Sequence, residues 1–326
     1  CLVGSEMCIR DSLDVAAKFG LVAPIGISFY TLEAIGYLID VSRGKYPAEK
    51  SFWRFAAFLS FFPNIMSGPI ERGDHFLGQL REITEKKRRE LLNYDRVMQG
   101  LIAMLLGYGM KLIVAQRAEI LVNQVYSMYQ DANSFTMLMA ALFYAVQIYC
   151  DFGGYSYIAI GSAKVLGFRL MDNFKAPYLA VSVHDFWRRW HISLTSWFTD
   201  YLYIPLGGNR KGKLRKYLNV MIVFLVSGLW HGASLHFMVW GGVHGLLLLA
   251  EKQIFPTDSQ ERAAPARRLL TLAAVCFAWV FFRAASVSDA LTLFSRLPCG
   301  WDAASVRTAV LTLSLQPAAQ LVLGAL

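Results

Sequence analysis

Three histidines lie inside a long stretch of the sequence that has no charged residue. The stretch, Tyr217 to Ala250, holds 34 residues without Lys, Arg, Asp or Glu, and it contains His231, His236 and His244. Polar side chains buried in lipid are costly unless they are partnered. His231 lies in SGLWHGAS, among small residues that would let a ligand approach its ring. That ring could therefore face a cavity and contact a ligand; the alternative is a hydrogen bond to a neighbouring helix.

The spacing of these histidines argues against a metal site. His236 and His244 follow His231 by five and thirteen residues, which places the three rings on different faces of one helix. We therefore expect no bound metal, and a structural role for His236 and His244. The five cysteines include no C-x-x-C pair, so zinc and redox chemistry are not indicated either.

A second polar cluster mixes aromatic and charged residues in HDFWRRWHISLTSWFTDYLYIPLGGNRKG, which begins at His184. His184 and His191 are seven residues apart and would share a face of one continuous helix. Arg188 and Arg189 lie between them and could bind phosphate or carboxylate, and Asp200 follows. The alternative is an interfacial helix that binds lipid headgroups.

Two further polar features are assigned no catalytic role. Lys111 lies deep in an apolar segment, from which its side chain could snorkel to the far interface. The motif DFGG at Asp151 shares a triplet with protein kinases. Because no Gly-rich loop or H-R-D motif accompanies it, phosphoryl transfer is not indicated.

The elements that must position these residues are transmembrane helices. The chain has 326 residues, of which 56% are hydrophobic and 17% charged, and its mean hydropathy is +0.40. Such values are typical of a membrane protein. We expect an all-α fold, a polytopic transmembrane helical bundle with re-entrant and interfacial segments. Its charge-poor segments, several near the ~20 residues that a spanning helix needs, are residues 19–41, 52–70, 97–116, 135–150, 217–250, 269–282 and 305–326.

Topology explains the basic excess of the chain without nucleic acid. Lys and Arg number 32 against 23 acids, a net charge of +9. The loop of residues 207–216 carries five Lys or Arg and no acid, and residues 71–96 carry seven against six acids. The positive-inside rule places both in the cytoplasm. We therefore expect a lipid bilayer, and no nucleic acid, as a partner.

Two apolar segments do not fit simple crossings. Residues 52–70 have basic loops on both sides and contain Pro63, Gly68 and Pro69, so we expect a re-entrant segment. Residues 217–250 would measure about 51 Å as one straight helix, against a hydrocarbon core of ~30 Å. We expect irregular backbone there, and with it a site.

Several segments closely resemble the membrane-bound O-acyltransferase (MBOAT) family, and most nearly its bacterial branch of alginate and other exopolysaccharide O-acetyltransferases. They are PIGISFYTLEAIGYLIDVSRG, FFPNIMSGPIER, DFGGYSYIAIGSAKVLGF, WRRWHISL followed by YIPLGG, and SGLWHGAS. The resemblance implies a helical bundle with a funnel through the membrane, where acyl donor and acceptor meet at a buried histidine. That histidine matches His231, and a second functional position matches His191.

The resemblance implies an enzyme, an O-acetyltransferase that needs no bound cofactor and takes acetyl from acetyl-CoA or another cytoplasmic acyl thioester. His231 would be the general base or a covalent relay, and His191 would orient the partner group or bind the donor carbonyl. The residues expected to help bind the donor are Trp230, Arg188, Arg189 and Asp200.

The same resemblance implies a multi-pass protein of the bacterial cytoplasmic (inner) membrane. Acetyl would pass to an extracytoplasmic polysaccharide such as alginate, directly or through a partner acetyltransferase. The alternatives are D-alanyl transfer to teichoic acid, peptidoglycan O-acetylation and, in a different class, a transporter or channel.

The two ends of the chain suggest a fragment. Residues 1–12, CLVGSEMCIRDS, are typical of a translated adapter or assembly scar and are set aside. Residues 13–326 are expected to form a single MBOAT-like transmembrane domain, truncated at both ends.

Overall fold

The protein is helical throughout the residues that its computed structural model describes. The described residues are 26–85, 93–127, 133–254, 264–297 and 306–307, and no strand occurs in them. The segment 1–12 and most of 305–326 lie outside this part of the chain. The α-helices are α1 (Ile27–Ser42), α2 (Phe52–Leu59), α3 (Gly73–Glu85), α4 (Tyr94–Tyr108), α5 (Gln116–Ser127), α6 (Ser134–Leu166), α7 (Val183–Arg189), α8 (Ile192–Phe198), α9 (Gly212–His231), α10 (Leu235–Ile254), α11 (Ala264–Arg283) and α12 (Val287–Arg296).

Three helical segments are long and apolar enough to cross a membrane. They are Tyr94–Ser127, Ser134–Leu166 and Pro265–Arg283. The first joins α4 to α5 through a π-helical stretch, Gly109–Ala115. The fold is that of an all-α membrane protein, so the fold class predicted from the composition is confirmed.

The segment 52–70 contains a short helix and then turns. Helix α2 has eight residues and rises about 12 Å, too little for the ~30 Å hydrocarbon core. After it the chain turns from Phe62 to Ser67 and passes through Pro69 without regular structure. The segment is therefore not a simple span, and its re-entrant path stays a prediction.

The charge-free stretch 217–250 lies in two helices, which confirms the predicted irregularity. Helix α9 ends at His231, residues 232–234 are non-helical, and α10 returns beside α9. Glycines let the two backbones touch: a Cβ on Gly228 would lie 2.3 Å from the Phe237 carbonyl oxygen, and one on Gly241 would lie 2.2 Å from that of Phe224. The hairpin therefore fixes where His231 stands relative to α10.

Helices α4 and α6 also meet at glycines, in an antiparallel pair. A Cβ on Gly107 would lie 2.5 Å from the Gly154 carbonyl oxygen, and one on Gly161 would lie 2.5 Å from that of Gly100. In the same register, the ammonium of Lys111 forms an ion pair with Asp151. Lys111 thus has an acidic partner on the adjacent helix, and its snorkelling to an interface stays a prediction.

Aromatic rings fill the core around the inner helices. Trp240 of α10 stacks on Trp279 of α11 with 5.7 Å between ring centroids, and Trp187 of α7 meets Trp240 edge-on at 5.9 Å. Both Trp240 and Trp279 are almost fully buried. Large rigid rings of this kind hold the short helix α7 against the long helices, and the site lies at their edge.

Candidate functional site

His231 is the last residue of α9 and is half-buried among aromatic rings. Its ring centroid lies 4.9 Å from Trp230, 5.2 Å from Trp240 and 5.3 Å from Phe282. A Cβ on the following Gly232 would lie 2.4 Å from the Phe237 ring. A small residue is therefore required directly after His231, which explains that part of the motif SGLWHGAS.

His191 lies between two helices rather than within one. Helix α7 ends at Arg189 and α8 begins at Ile192, and His191 has left-handed backbone angles, φ 43° and ψ 53°. The prediction that His184 and His191 share a helix face is therefore wrong. His184 is exposed in the first turn of α7, whereas the side chain of His191 is buried.

Trp230 brings the two predicted histidines to one place. Its ring centroid is 6.3 Å from that of His191 and 4.9 Å from that of His231. Phe29 of α1 packs edge-on against the same tryptophan at 5.6 Å. The three residues singled out from sequence therefore form one group, with Trp230 touching both imidazoles.

The other two histidines of the charge-free stretch have local partners. His244 is fully buried, and its Nδ1 accepts a hydrogen bond of 3.3 Å from the indole N–H of Trp187. Nδ1 of His236 is 2.8 Å from the hydroxyl of Ser234. These contacts fit the structural roles expected for both. In the described part of the chain, no three His, Cys, Asp or Glu side chains are grouped so that they could hold a metal.

A cavity of about 560 Å³ lies between helices α7 to α11. Its wall is largely apolar, with Leu194 and Phe198 from α8 and Val223 from α9. Four cationic side chains also line it: Arg188, Lys216, Lys252 and Arg267. Ser227, one turn of α9 before His231, lines the cavity as well. The cavity thus combines an apolar wall with positive charge, and His191, Trp230 and His231 lie outside its described lining.

The positive charge in this cavity is concentrated where α9 begins and α10 ends. Lys252 contacts Lys216, and this neighbouring ammonium, together with partial burial, lowers the pKa of Lys216. Glu251 is the one acid among the described lining residues. Its two oxygens accept hydrogen bonds from the backbone N–H groups of Val183 and His184, at 2.8 and 3.1 Å. An anion bound there would relieve the repulsion between the two lysines.

The remaining residues predicted to bind a donor divide into two groups. Arg188 lines the cavity. Arg189 instead pairs with Asp185 of its own helix, with 2.9 Å between Nε and Oδ1. Asp200 pairs at 2.9 Å with Arg72, outside the described lining of the cavity. The structure thus brings Arg188, but not Arg189 or Asp200, to the cavity.

Sequence reasoning missed Asn173, whose side chain is buried beside His191. Its Oδ1 lies 3.3 Å from Nδ1 of His191. Asn173 stands in an irregular segment after α6, with no motif around it that marks a site. Its proximity to His191 arises from tertiary packing, so no local pattern in the sequence could have revealed it.

The fold and the site together define an all-α membrane protein with a polar site buried among its helices. The profile of the membrane-bound O-acyltransferase family matches residues 47–292. The chain belongs to this family, as the resemblance of its motifs predicted.

Three curated relatives show which members of the family this chain is similar to. It is 38% identical to the probable alginate O-acetylase AlgI of Pseudomonas fluorescens over 298 residues, which cover 89% of this chain and 59% of the relative. It is 32% identical to a peptidoglycan O-acetyltransferase of Helicobacter pylori, covering 83% and 56%. It is 25% identical to a teichoic acid D-alanyltransferase of Bacillus subtilis, covering 80% and 69%. The chain thus spans a little under three fifths of the first two.

Proposed function

We propose that this protein is a membrane O-acyltransferase that moves an acetyl group from a thioester donor toward a polysaccharide hydroxyl. The observation that carries the proposal is the group of His191, Trp230 and His231 one helical turn beyond a cation-lined cavity. Membership of the family and the names of the relatives support the same chemistry.

The cavity suits an acyl thioester with an anionic carrier, such as acetyl-CoA. Phosphates of the carrier would bind near Lys216, Lys252 and Arg188, where positive charge is in excess. The thioester arm would lie along the apolar wall toward Ser227. From Lys216 to Ser227 helix α9 rises about 17 Å, and His231 follows one turn later. The donor carbonyl would then reach the imidazole from the end of α9 that the positive-inside rule places in the cytoplasm.

In the proposed reaction, His231 accepts the proton of the acceptor hydroxyl while that oxygen attacks the thioester carbonyl. The carbon–sulfur bond then breaks, and the proton passes to the departing thiolate, which leaves an ester and a free thiol. In the covalent variant, the imidazole itself takes the acetyl group and then hands it on. His191 would orient the partner group or bind the donor carbonyl.

For the acceptor, we propose a polysaccharide outside the cytoplasmic membrane, reached directly or through a partner acetyltransferase. The protein would then be a multi-pass protein of the bacterial inner membrane. Two of the relatives are named for acetyl transfer, to alginate or peptidoglycan, and the third for D-alanyl transfer to teichoic acid. The greater identity to the acetyl-transferring relatives favours acetyl as the group transferred.

The test uses the membrane-inserted protein, acetyl-CoA with a labelled acetyl group, and the cells' exported polymer. His231→Ala should lower label transfer and thiol release by about 10²-fold or more, the usual contribution of a general base. His236→Gln, a change to a histidine in the same stretch, is the matched control and should retain transfer. If His231→Ala is inserted and still acetylates polymer, the proposal fails. Labelled D-alanine in place of acetate would identify the D-alanyl alternative, and solute counterflow without thioester consumption would identify a transporter.

A further inference from the structure

Asn173 places a primary amide in the core beside His191. The side chain is 1% exposed, and a buried amide is costly unless its polar atoms are hydrogen-bonded. Asn173 satisfies this requirement on both sides of the amide. Its Oδ1 faces Nδ1 of His191 and the hydroxyl of Ser193, and its Nδ2 donates to the hydroxyl of Ser156 at 3.2 Å. The amide therefore joins α6 to the segment that carries His191.

The neighbouring N–H groups fix which way this amide points. The backbone N–H of Ser193 lies 3.4 Å from Oδ1, and a backbone N–H can only donate, so the atom that it meets is the amide oxygen. The hydroxyl of Ser193 accepts from the backbone N–H of Ile70 at 3.0 Å, which leaves its proton for Asn173 Oδ1 at 2.7 Å. The backbone N–H and the hydroxyl of Ser193 therefore both donate to the Asn173 oxygen.

An amide oxygen that only accepts requires its imidazole partner to donate. Nδ1 of His191, 3.3 Å from Oδ1, therefore carries the proton. In the neutral ring the lone pair is then on Nε2, so Nε2 accepts hydrogen bonds and cannot donate one.

Asn173 also holds the backbone around this ring. Its main-chain oxygen accepts from the N–H of Ile192 at 3.0 Å, directly after the left-handed His191. A non-glycine residue in that conformation persists when surrounding contacts impose it. The ring is further held edge-on against Phe152, with centroids 4.6 Å apart. Asn173 thus sets the proton position and helps to set the direction of the imidazole.

We infer that Asn173 is a positioning residue that keeps the proton of His191 on Nδ1, so that Nε2 presents a lone pair to a hydrogen-bond donor of the acceptor other than the reacting hydroxyl, whose proton goes to His231. The inference rests on the proposed function and narrows it. A neutral His191 held in this way cannot donate to the donor carbonyl, so of its two proposed roles it takes the orientation of the partner group. The reaction itself keeps the proton path through His231 described above.

A spectroscopic test reads the proton position directly and needs no activity. The membrane-inserted protein is labelled with ¹⁵N-histidine, and His191→Gln identifies the signals of His191 by their loss. We expect Nδ1 to be a protonated nitrogen and Nε2 an unprotonated one. A spectrum with the proton on Nε2 overturns the inference, whether or not the protein transfers acyl groups.

A kinetic test separates positioning from folding. Asn173→Leu keeps a similar size but removes the acceptor, and we expect kcat to fall about 10- to 100-fold with the KM for the thioester within about twofold of wild type. Asn173→Asp keeps an oxygen at the Oδ1 position and should recover most of kcat. Ser156→Ala, which removes a partner of Nδ2 and leaves Oδ1 in place, is the matched control and should lose much less.

The outcomes of the kinetic test are distinct. Equal kcat in folded Asn173→Leu and Ser156→Ala overturns the inference. If Asn173→Leu does not fold, the kcat of Asn173→Asp and the ¹⁵N spectrum of the wild type test the inference in its place. A wild-type protein that transfers no acyl group refutes the proposed function, and the ¹⁵N spectrum then still tells whether Asn173 sets the proton of His191.

Discussion

The contact between α4 and α6 predicts a sharp difference between two glycines that lie two residues apart. A Cβ on Gly107 would lie 2.5 Å from the Gly154 carbonyl oxygen and 2.8 Å from Ile158 Cγ1, whereas one on Gly109 would meet nothing within 4 Å. Ordinary contact begins near 3.4 Å. Gly107→Ala must therefore push the two helices about 1 Å apart, because a backbone oxygen cannot swing away.

The cost of this separation follows from how helices associate in a membrane. Close packing of backbones at small residues is a main source of affinity between transmembrane helices, and overpacking costs about 1–3 kcal/mol. We expect Gly107→Ala to lower the free energy of unfolding by that amount. Gly109→Ala should leave it unchanged or raise it by up to about 1 kcal/mol, since alanine favours helix over glycine.

Reversible unfolding in mixed micelles, followed as denaturing detergent replaces mild detergent, measures both variants under one condition. A second readout is the double change Gly107→Ala with Gly154→Ala, which should be worse than either single change because both add a methyl group to the same contact. Equal stability of Gly107→Ala and Gly109→Ala would refute the backbone contact between α4 and α6.

Three further predictions concern charged residues. Arg188→Gln should raise the KM for an anionic thioester severalfold with little change in kcat, while Arg189→Gln should not, as donor titrations would measure. Hydrogen bonds from Arg54 and a second arginine lower the pKa of Glu49 to about 2 from 4.5. The stability advantage of wild type over Glu49→Gln should be complete above about pH 4.5 and vanish as pH falls toward 2, in unfolding midpoints taken across pH. A hydrogen-bonded carboxylate raises the pKa of His75 above 6.5, so its contribution should be full below pH 6.5 and decline as pH rises, in the same assay with His75→Gln.

The break after His231 was predictable because the thickness of the hydrocarbon core limits the length of a straight helix. A stretch of 34 residues without charge is too long for one crossing, and glycines within it permit a turn. The break at His191 was not predictable by the same means. Spacing of seven residues places His184 and His191 on one face only if the helix is continuous, and the chain leaves the helix at Trp190.

Residues joined by packing between distant segments were beyond sequence reasoning. Lys111 and Asp151 were considered separately, and the antiparallel register of α4 and α6 is what pairs them. Asn173 reaches His191 because the segment after α6 folds against the turn between α7 and α8. The resemblance of motifs to the family identified His191 and His231. No motif surrounds Asn173, the residue inferred to orient His191.

The position of His231 at the end of α9 places its imidazole at the negative end of the helix dipole. The last carbonyl groups of a helix carry the negative end of its dipole, which favours a cation by about 0.3–2 kcal/mol. In the proposed reaction the imidazole becomes a cation when it takes the hydroxyl proton. Because α9 stops at this residue, the dipole stabilises the charged intermediate more than the resting ring, and a continuous helix through residues 217–250 would offer no such end.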